Sequence, residues 1–295
     1  MTSREHRTTI VIPTSGRAGI LHETVIGLAT QTHPPLLILI AAADAESVLE
    51  QTRALPGVDV FVAAKRGSSA QRNAALERVT TPYTLFLDDD VELAAGYIAS
   101  MEELFGEREG LVLAGAEMAA DGAHTDSGYS HAEAREILSR HVPCGRIDNL
   151  RSVIGCNLFV RTEVARAVGF DERLPLYGYL EDVDFSTRAR RLGAVQQNGR
   201  TALLHLGASS GRGPGVRLGY SQIVNPLYLW RKNGYPGLGR VVVHFWMRLF
   251  LSNLTRSVVR TNNLRADRPG RLKGNLLAFG ELLRGRVEPE QILNL

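Results

Sequence analysis

The chain has 295 residues, 44% of them hydrophobic and 22% charged, with a formal net charge of +3. That profile belongs to a globular protein of one large domain or two small ones, and excludes disordered, collagen-like and disulfide-scaffold classes. Cys144 and Cys156 form no metal-ligand pattern and suit a reduced, cytoplasmic compartment. The longest apolar runs, 36–43 and 241–251, fall short of the ~20 residues that span a bilayer, and the charged residues 1–7 are not a signal peptide.

The first 120 residues alternate β-rich runs with helical patterns. Strands are predicted over 8–12, where Pro13 stops the run, and over 36–42, 58–62, 83–87 and 111–118. Helices are predicted over 21–30, 68–79 and 93–105. This alternation implies parallel βαβ units, and the uninterrupted apolar strands imply a sheet covered on both faces. Ligands of such sheets bind beyond the carboxyl ends of the strands. The pattern weakens over 119–150, with a short helix at 131–139. Strands follow at 152–160 and 202–206, on either side of an arginine-rich helix over 181–192. Residues 207–219 hold five glycines and a proline and read as a mobile loop. Helices are predicted over 220–231, 240–260 and 273–283.

Charge divides the chain. Residues 200–295 carry 15 Lys and Arg against 4 Asp and Glu, whereas the preceding 199 residues carry 19 against 27. Such asymmetry points to an anionic partner or to a solvated basic face. The arginines are not interleaved with aromatics as a stacking platform requires, so no nucleic-acid partner is expected. Within 240–260, Val241, Phe245, Leu249 and Ser252 recur at helical spacing, as do Val242, Trp246, Leu249 and Asn253. Arg240, Arg248, Arg256 and Arg260 recur at multiples of four and form a slow spiral. Such a helix either packs on the preceding domain or lies in an anionic membrane interface.

Four constellations carry chemistry. In Leu87-Asp88-Asp89-Asp90, three carboxylates follow an apolar strand. Buried consecutive carboxylates require a cation to stay ionised, and hard oxygen donors suit Mg²⁺ or Mn²⁺. The competing reading is a polar turn in which Asp90 caps the next helix. Glu181, Asp182 and Asp184 crowd the start of a helix after Tyr177-Gly178-Tyr179-Leu180. One acid there caps a helix, whereas a set of three also suits a general base. His205 ends a short strand, as a core histidine or a ligand, and the following loop with Arg212 suits phosphates. The segment Lys65-Arg66-Gly67-Ser68-Ser69-Ala70-Gln71-Arg72-Asn73 opens a helix that faces either a phosphate or solvent.

In this order the motifs resemble an inverting glycosyltransferase of family 2, of the bacterial polysaccharide-assembly type. The matching residues are Ile12-Pro13-Thr14, Gln71-Arg72-Asn73, Phe86-Leu87-Asp88-Asp89-Asp90, Gly169-Phe170-Asp171-Glu172 and Glu181-Asp182-Val183-Asp184, within residues 8–210. The triplet resembles the family's D-x-D motif and Glu181-Asp182 its acidic E-D motif. One departure is Ile40-Ala41-Ala42-Ala43-Asp44-Ala45-Glu46, where alanines stand at positions that are acidic in many members. The resemblance implies an α/β GT-A fold: a Rossmann-like, mostly parallel sheet flanked by helices, with a C-terminal helical tail. It divides the chain into a catalytic domain, 1–218, and a basic helical region, 219–295. Nucleotide-sugar binding falls in 8–118 and the acceptor and catalytic part in 119–218.

It also implies roles. A nucleotide-diphospho-sugar donor contacts Pro13, Thr14, Arg17, Asp44, Arg72, Asp88, Asp89 and Arg212. Asp90 and His205 hold the divalent ion, a histidine 23 residues after Asp182 matching the metal site of polymerising galactofuranosyltransferases. Asp182 and Glu181 are the catalytic acids, with Asp182 taking the proton of the acceptor hydroxyl in a single displacement. The acceptor is a saccharide or is lipid-linked, and the tail implies peripheral contact with anionic membrane on the cytoplasmic side. Two alternatives stay open. A sugar-phosphate nucleotidyltransferase needs a glycine-rich basic signature, of which Thr14-Ser15-Gly16-Arg17 is a poor version. A non-catalytic nucleotide-sugar-binding protein has no use for Asp182.

Overall fold

The computed structural model describes residues 6–208, 213–258 and 267–295. Its first half is built from β1 (Thr8–Thr14), α1 (Ala18–Ala29), β2 (Leu37–Ala42), α2 (Glu50–Arg53), β3 (Val58–Val62), α3 (Ser68–Leu76) and β4 (Tyr83–Phe86). Strand alternation sorts their apolar side chains onto two faces. Ile10, Ile12, Ile38, Ile40 and Leu85 pack with Leu21, Val25 and Leu28 of α1. Val11, Leu39, Ala41 and Phe86 pack on the opposite face with Ala75 and Leu76 of α3. Both faces are covered, which is why these strands are apolar without interruption.

The chain continues through β5 (Val91–Leu93), α4 (Tyr97–Glu107), β6 (Leu111–Asp121), α5 (His131–Arg140), β7 (Ile147–Asn149), β8 (Leu158–Arg161), α6 (Thr162–Val168), α7 (Glu181–Ala189) and β9 (Ala194–His205). All nine strands join one sheet in the order β3-β2-β1-β4-β8-β6-β9-β5, with β7 also on β9. Strands β3, β2, β1 and β4 run parallel, as do β6 and β9. The pairs β4–β8, β6–β8, β5–β9 and β7–β9 are antiparallel. Phe86, Phe170 and Phe185 stack with centroids 4.5–6.4 Å apart, so α7 is seated directly on β4.

The helical region comprises α8 (Gly215–Asn233), α9 (Leu238–Arg240), a π-helical stretch Val241–Leu249, α10 (Phe250–Val258) and α11 (Arg268–Leu283). Asn253 and Asn275 are buried among these helices, where Asn253 Nδ2 donates to Asn275 Oδ1 and to Gln222 Oε1. Helix α8 runs across residue 218.

Several elements differ from their sequence reading. Strand β1 passes through Pro13 to Thr14, in register with Ala41 and Ala42 of β2. Val11 O accepts from Leu87 N, so by strand alternation Pro13 faces the same side, where β4 has already ended. No ladder hydrogen bond is lost to the missing N–H. Residues 91–93 pair with Leu203–His205 as a strand, so the helix expected from 93 starts at Tyr97. Of the single strand expected over 152–160, only the end is strand, in β8, and a 3₁₀ turn at Gly155–Asn157 precedes it. Within the expected loop, 213–214 precede α8 and 209–212, including Arg212, lie outside the described residues.

Candidate active site

The acidic triplet leaves the carboxyl end of β4 beside the ends of β1 and β2. Its three members have different surroundings. Asp88 is 36% exposed at its side chain, whereas Asp89 and Asp90 are buried. Asp89 turns inward: Thr14 Oγ1 donates to it at 2.6 Å and Arg17 lies 3.2 Å away. Burial pushes the Asp89 carboxyl up to about 7, against the pull of Arg17. Asp89 thus supports the site from beneath. Asp90 accepts from Ala208 N at 2.8 Å and pairs with Arg17 at 3.0 Å and His205 Nε2 at 3.3 Å. Burial alone would raise the Asp90 carboxyl, but His205 and Arg17 hold it below the usual range. Asp90 caps no helix.

His205 ends β9 in register with Asp121, the last residue of β6. Its Nδ1 lies 2.7 Å from Asp121 Oδ1, which fixes the ring and leaves Nε2 toward Asp90. Burial lowers the imidazole pKa, but the hydrogen bonds to Asp121 and Asp90 outweigh it and raise His205 to about 10. One ligand atom each from Asp88, Asp90 and His205 lies within 4.8 Å of the others. Two carboxylates and an imidazole, with Asp88 open to solvent, fit a divalent ion that shares its remaining positions with a substrate.

The opposite wall is the start of α7. Leu176 and Leu180, at φ +59° and +71°, are left-handed non-glycine residues around Gly178. Such conformations cost roughly 1–3 kcal/mol each and persist where surrounding contacts impose them. Here Ser68 N donates to Leu176 O, and a Cβ at Gly67 would fall 2.8 Å from Leu176 N, so that position requires glycine. Ser68 and Ser69 hydroxyls donate to Glu181 Oε2 at 2.8 and 2.6 Å, and Arg72 Nη1 donates to Glu181 Oε1. Arg72 Nη2 reaches Asp88 at 2.8 Å and Gly155 O at 3.2 Å. Arg72 is only 2% exposed, so it clamps the two walls together where a donor contact was expected. Glu181 is buried, and its carboxylate accepts from two serines and Arg72. The amino end of α3 serves Leu176 and Glu181, not a phosphate.

Asp182 is the half-buried acid of this wall. It accepts from Gly155 N at 3.0 Å and Val183 N at 2.8 Å. Burial nevertheless raises its carboxyl above the ordinary range, which strengthens it as a base. Asp184 points away: it is fully buried and held by Arg188, Lys232 and Asn233. Helix α8 grips the same wall, with Asn225 donating to Tyr179 O and Tyr228 to Asp171.

On the donor side, Pro13 is half-buried, and Gln71 Nε2 staples β1 to β2 by donating to Thr14 O and Ala41 O. Asp44 caps the 3₁₀ turn Ala45–Ser47, and Arg66 pairs with it at 2.9 Å. Arg17, expected at the donor, is engaged by Asp89 and Asp90. Asn73 pairs with the backbone of Phe170 in both directions, so Gln71-Arg72-Asn73 is a set of staples. Sequence reasoning missed Asp121, Ser68, Ser69, Gln71 and Gly155 as contributors. The serines stand in a quoted motif, but nothing in the sequence tied them to an acid 112 residues away.

The sequence pattern of the family described as glycosyl transferase family 2 matches residues 9–169, more than half of the chain. The teichoic acid poly(glycerol phosphate) polymerase of Staphylococcus epidermidis is 32% identical over 115 residues. That segment is 38% of this chain and only 15% of the polymerase. Among solved structures, the mannosyltransferase PcManGT from Pyrobaculum calidifontis in complex with GDP-Man and Mn²⁺ superposes with a TM-score of 0.55 at 13% identity, over 99% of this chain and 79% of that one. Residues 1–349 of S. aureus TarS give 0.53 at 13% identity, over 95% and 92%. At these identities the likeness is one of fold.

Proposed function

The chain belongs to glycosyl transferase family 2 and has the GT-A fold, and from that premise we propose that it is a metal-dependent inverting glycosyltransferase, hexosyltransferase-like, in cell-surface polysaccharide or glycolipid synthesis. The observation that carries this reading is the pairing of two walls by Arg72: an Asp88–Asp90–His205 cluster that suits a cation on one, and Asp182, half-buried and held only by backbone N–H groups, on the other.

A nucleotide-diphospho-sugar sits over the carboxyl ends of β1 and β2, on Pro13 and Thr14, with Asp44 on the nucleoside side and Asp88 facing the diphosphate. Asp88, Asp90 and His205 hold Mg²⁺ or Mn²⁺, which when bound neutralises charge developing on the diphosphate. Asp182 accepts the proton of the acceptor hydroxyl. The hydroxyl oxygen bonds to the anomeric carbon as the bond to the nucleoside diphosphate breaks, and the configuration inverts. Arg72 positions Gly155, whose N–H donates to Asp182. Residues 1–218 supply the chemistry, with Arg212 among the donor contacts. The acceptor is a saccharide or lipid-linked hydroxyl. The helical region makes peripheral contact with anionic membrane on the cytoplasmic face. Among the described residues no helix is long and apolar enough to cross a membrane. The nucleotidyltransferase alternative loses support because Arg17 is engaged by Asp89 and Asp90.

The test is turnover of a panel of UDP- and GDP-sugars with Mn²⁺ and saccharide or lipid-linked acceptors. Release of nucleoside diphosphate with an inverted anomeric centre by NMR is expected. A retained anomer, or diphosphate released from nucleoside triphosphates instead, overturns the proposal.

A further inference from the structure

The helical region leaves one face open. Along the helical stretch from Leu238 to Val258, Val241, Phe245 and Asn253 are buried, and Trp246 Nε1 turns inward to donate to Ile223 O at 3.0 Å. On the outer side Val243, Met247 and Leu251 are 63%, 54% and 51% exposed, followed by exposed Leu254. Their spacing of four, four and three keeps them on one stripe. Beside it, Leu276 and Leu277 of α11 are also exposed and line a groove of about 710 Å³ that Ser257 of α10 closes from the other side.

Charge says what this face meets. Residues 213–258 contain Arg217, Arg231, Lys232, Arg240, Arg248 and Arg256 and no acidic residue. Lys232 is spent on Asp171 and Asp184, and Arg217 on Leu295 O. Arg240, Arg248 and Arg256 are exposed, and no ion pair among the described residues includes them. We propose that this face docks on an anionic lipid surface, with Val243, Met247, Leu251 and Leu254 entering the headgroup boundary and the three arginines engaging lipid phosphates.

Three observations favour this occupant. Apolar stripes flanked by arginine are the chemistry of interfacial helices, and arginine stems reach outward from such a stripe to the headgroups. A second copy packed isologously on the same face would set these arginines against each other. Protein partners are commonly anchored by exposed Trp or Tyr, but here Trp246 faces the core. Docking has a functional consequence. Because α8 holds Tyr179 through Asn225 and α7 through Lys232 and Asn233, a docked helical region keeps the Asp182 wall at the membrane, where a lipid-linked hydroxyl would arrive. This part rests on the proposed glycosyl transfer; the docking itself does not.

The experiment is co-sedimentation of the full chain with phosphatidylglycerol–phosphatidylcholine vesicles and with phosphatidylcholine alone, at low and high salt. Transfer to a soluble acceptor and the melting temperature are measured in parallel. The wild-type chain should bind anionic vesicles at low salt, and lose binding at high salt and on neutral vesicles. The pair Met247→Glu and Leu251→Glu should reduce binding at least about tenfold, and each of Arg240→Gln, Arg248→Gln and Arg256→Gln about fivefold. Soluble transfer and melting should stay unchanged. Wild-type chain left in the supernatant at low salt, equal binding to neutral vesicles, or wild-type binding by the Glu pair overturns the proposal, as does dimerisation lost in the Glu pair. Vesicle binding without any transfer would instead sink the glycosyltransferase reading and leave the docking face standing.

Discussion

The wall formed by β4 and α7 and the outer face of the helical region both concentrate charge, in opposite ways. At the wall the titratable groups are partnered and mostly buried: Arg72 with Glu181 and Asp88, Arg17 with Asp89 and Asp90, His205 with Asp90 and Asp121. On the helical face Arg240, Arg248 and Arg256 stand in solvent beside exposed aliphatic side chains. Buried, mutually held charges fix atoms to fractions of an ångström, as chemistry on one bond demands. Exposed, unpaired charges fix nothing by themselves and suit a partner that is broad and fluid.

The sharpest way to break this contrast is at the base. Asp182→Asn preserves shape but cannot accept a proton, so turnover should fall ~10²–10⁴-fold with donor binding retained. Wild-type turnover in this variant would leave the wall without a chemical role, since Glu181 and Asp184 are both committed to protein partners. Arg72→Met removes the clamp and leaves Glu181 buried without its cation, a loss of about 3–5 kcal/mol in denaturant unfolding. Arg248→Gln on the helical face should change stability by no more than ~0.5 kcal/mol. Similar losses for the two arginines would erase the distinction.

Asp121→Asn tests how the wall places a ligand it does not itself supply. Mn²⁺ affinity measured by calorimetry should drop ~10–100-fold, because His205 loses the partner that orients its ring. Affinity should also depend on pH. With His205 raised to about 10 in the absence of the ion, binding must displace its proton, so apparent Mn²⁺ affinity should rise about tenfold per pH unit between pH 6 and 9. A flat profile would remove His205 from the ligand set. The pH–rate profile gives the smallest and finest test. Asp182 must be ionised to act and its carboxyl lies above the ordinary range, so activity should be lost on acidification at a pH above the ~3.9 of a free aspartate. An acidic limb at the free value would mean that burial does not tune this base.

Much of this was legible in order along the chain. Apolar runs located β1 to β4, their spacing implied parallel pairing, and Asp88–Asp90 fell at a strand's carboxyl end, where ligands gather. Periodicity reports which face of an element is buried, and burial of a continuous run is a local property. The helix that opens with Glu181-Asp182 was readable for the same reason.

What each acid does was decided only by tertiary packing. Glu181 and Asp182 are neighbours in sequence, yet Ser68, Ser69 and Arg72, more than a hundred residues away, occupy one, while the other accepts from the backbone N–H groups of Gly155 and Val183. The register of β6 on β9 sets Asp121 against His205 across 84 residues, and the pairing of β9 with Val91–Leu93 makes a strand of what reads locally as a helix start. Arg17 and Arg72, two arginines near the donor by sequence, are turned to carboxylates because a buried charge must find its counterion wherever the fold brings one. By itself the sequence determined which elements form and where acids and arginines concentrate. The fold decided which of them are partnered, because pairing depends on distances between distant segments that no local pattern encodes.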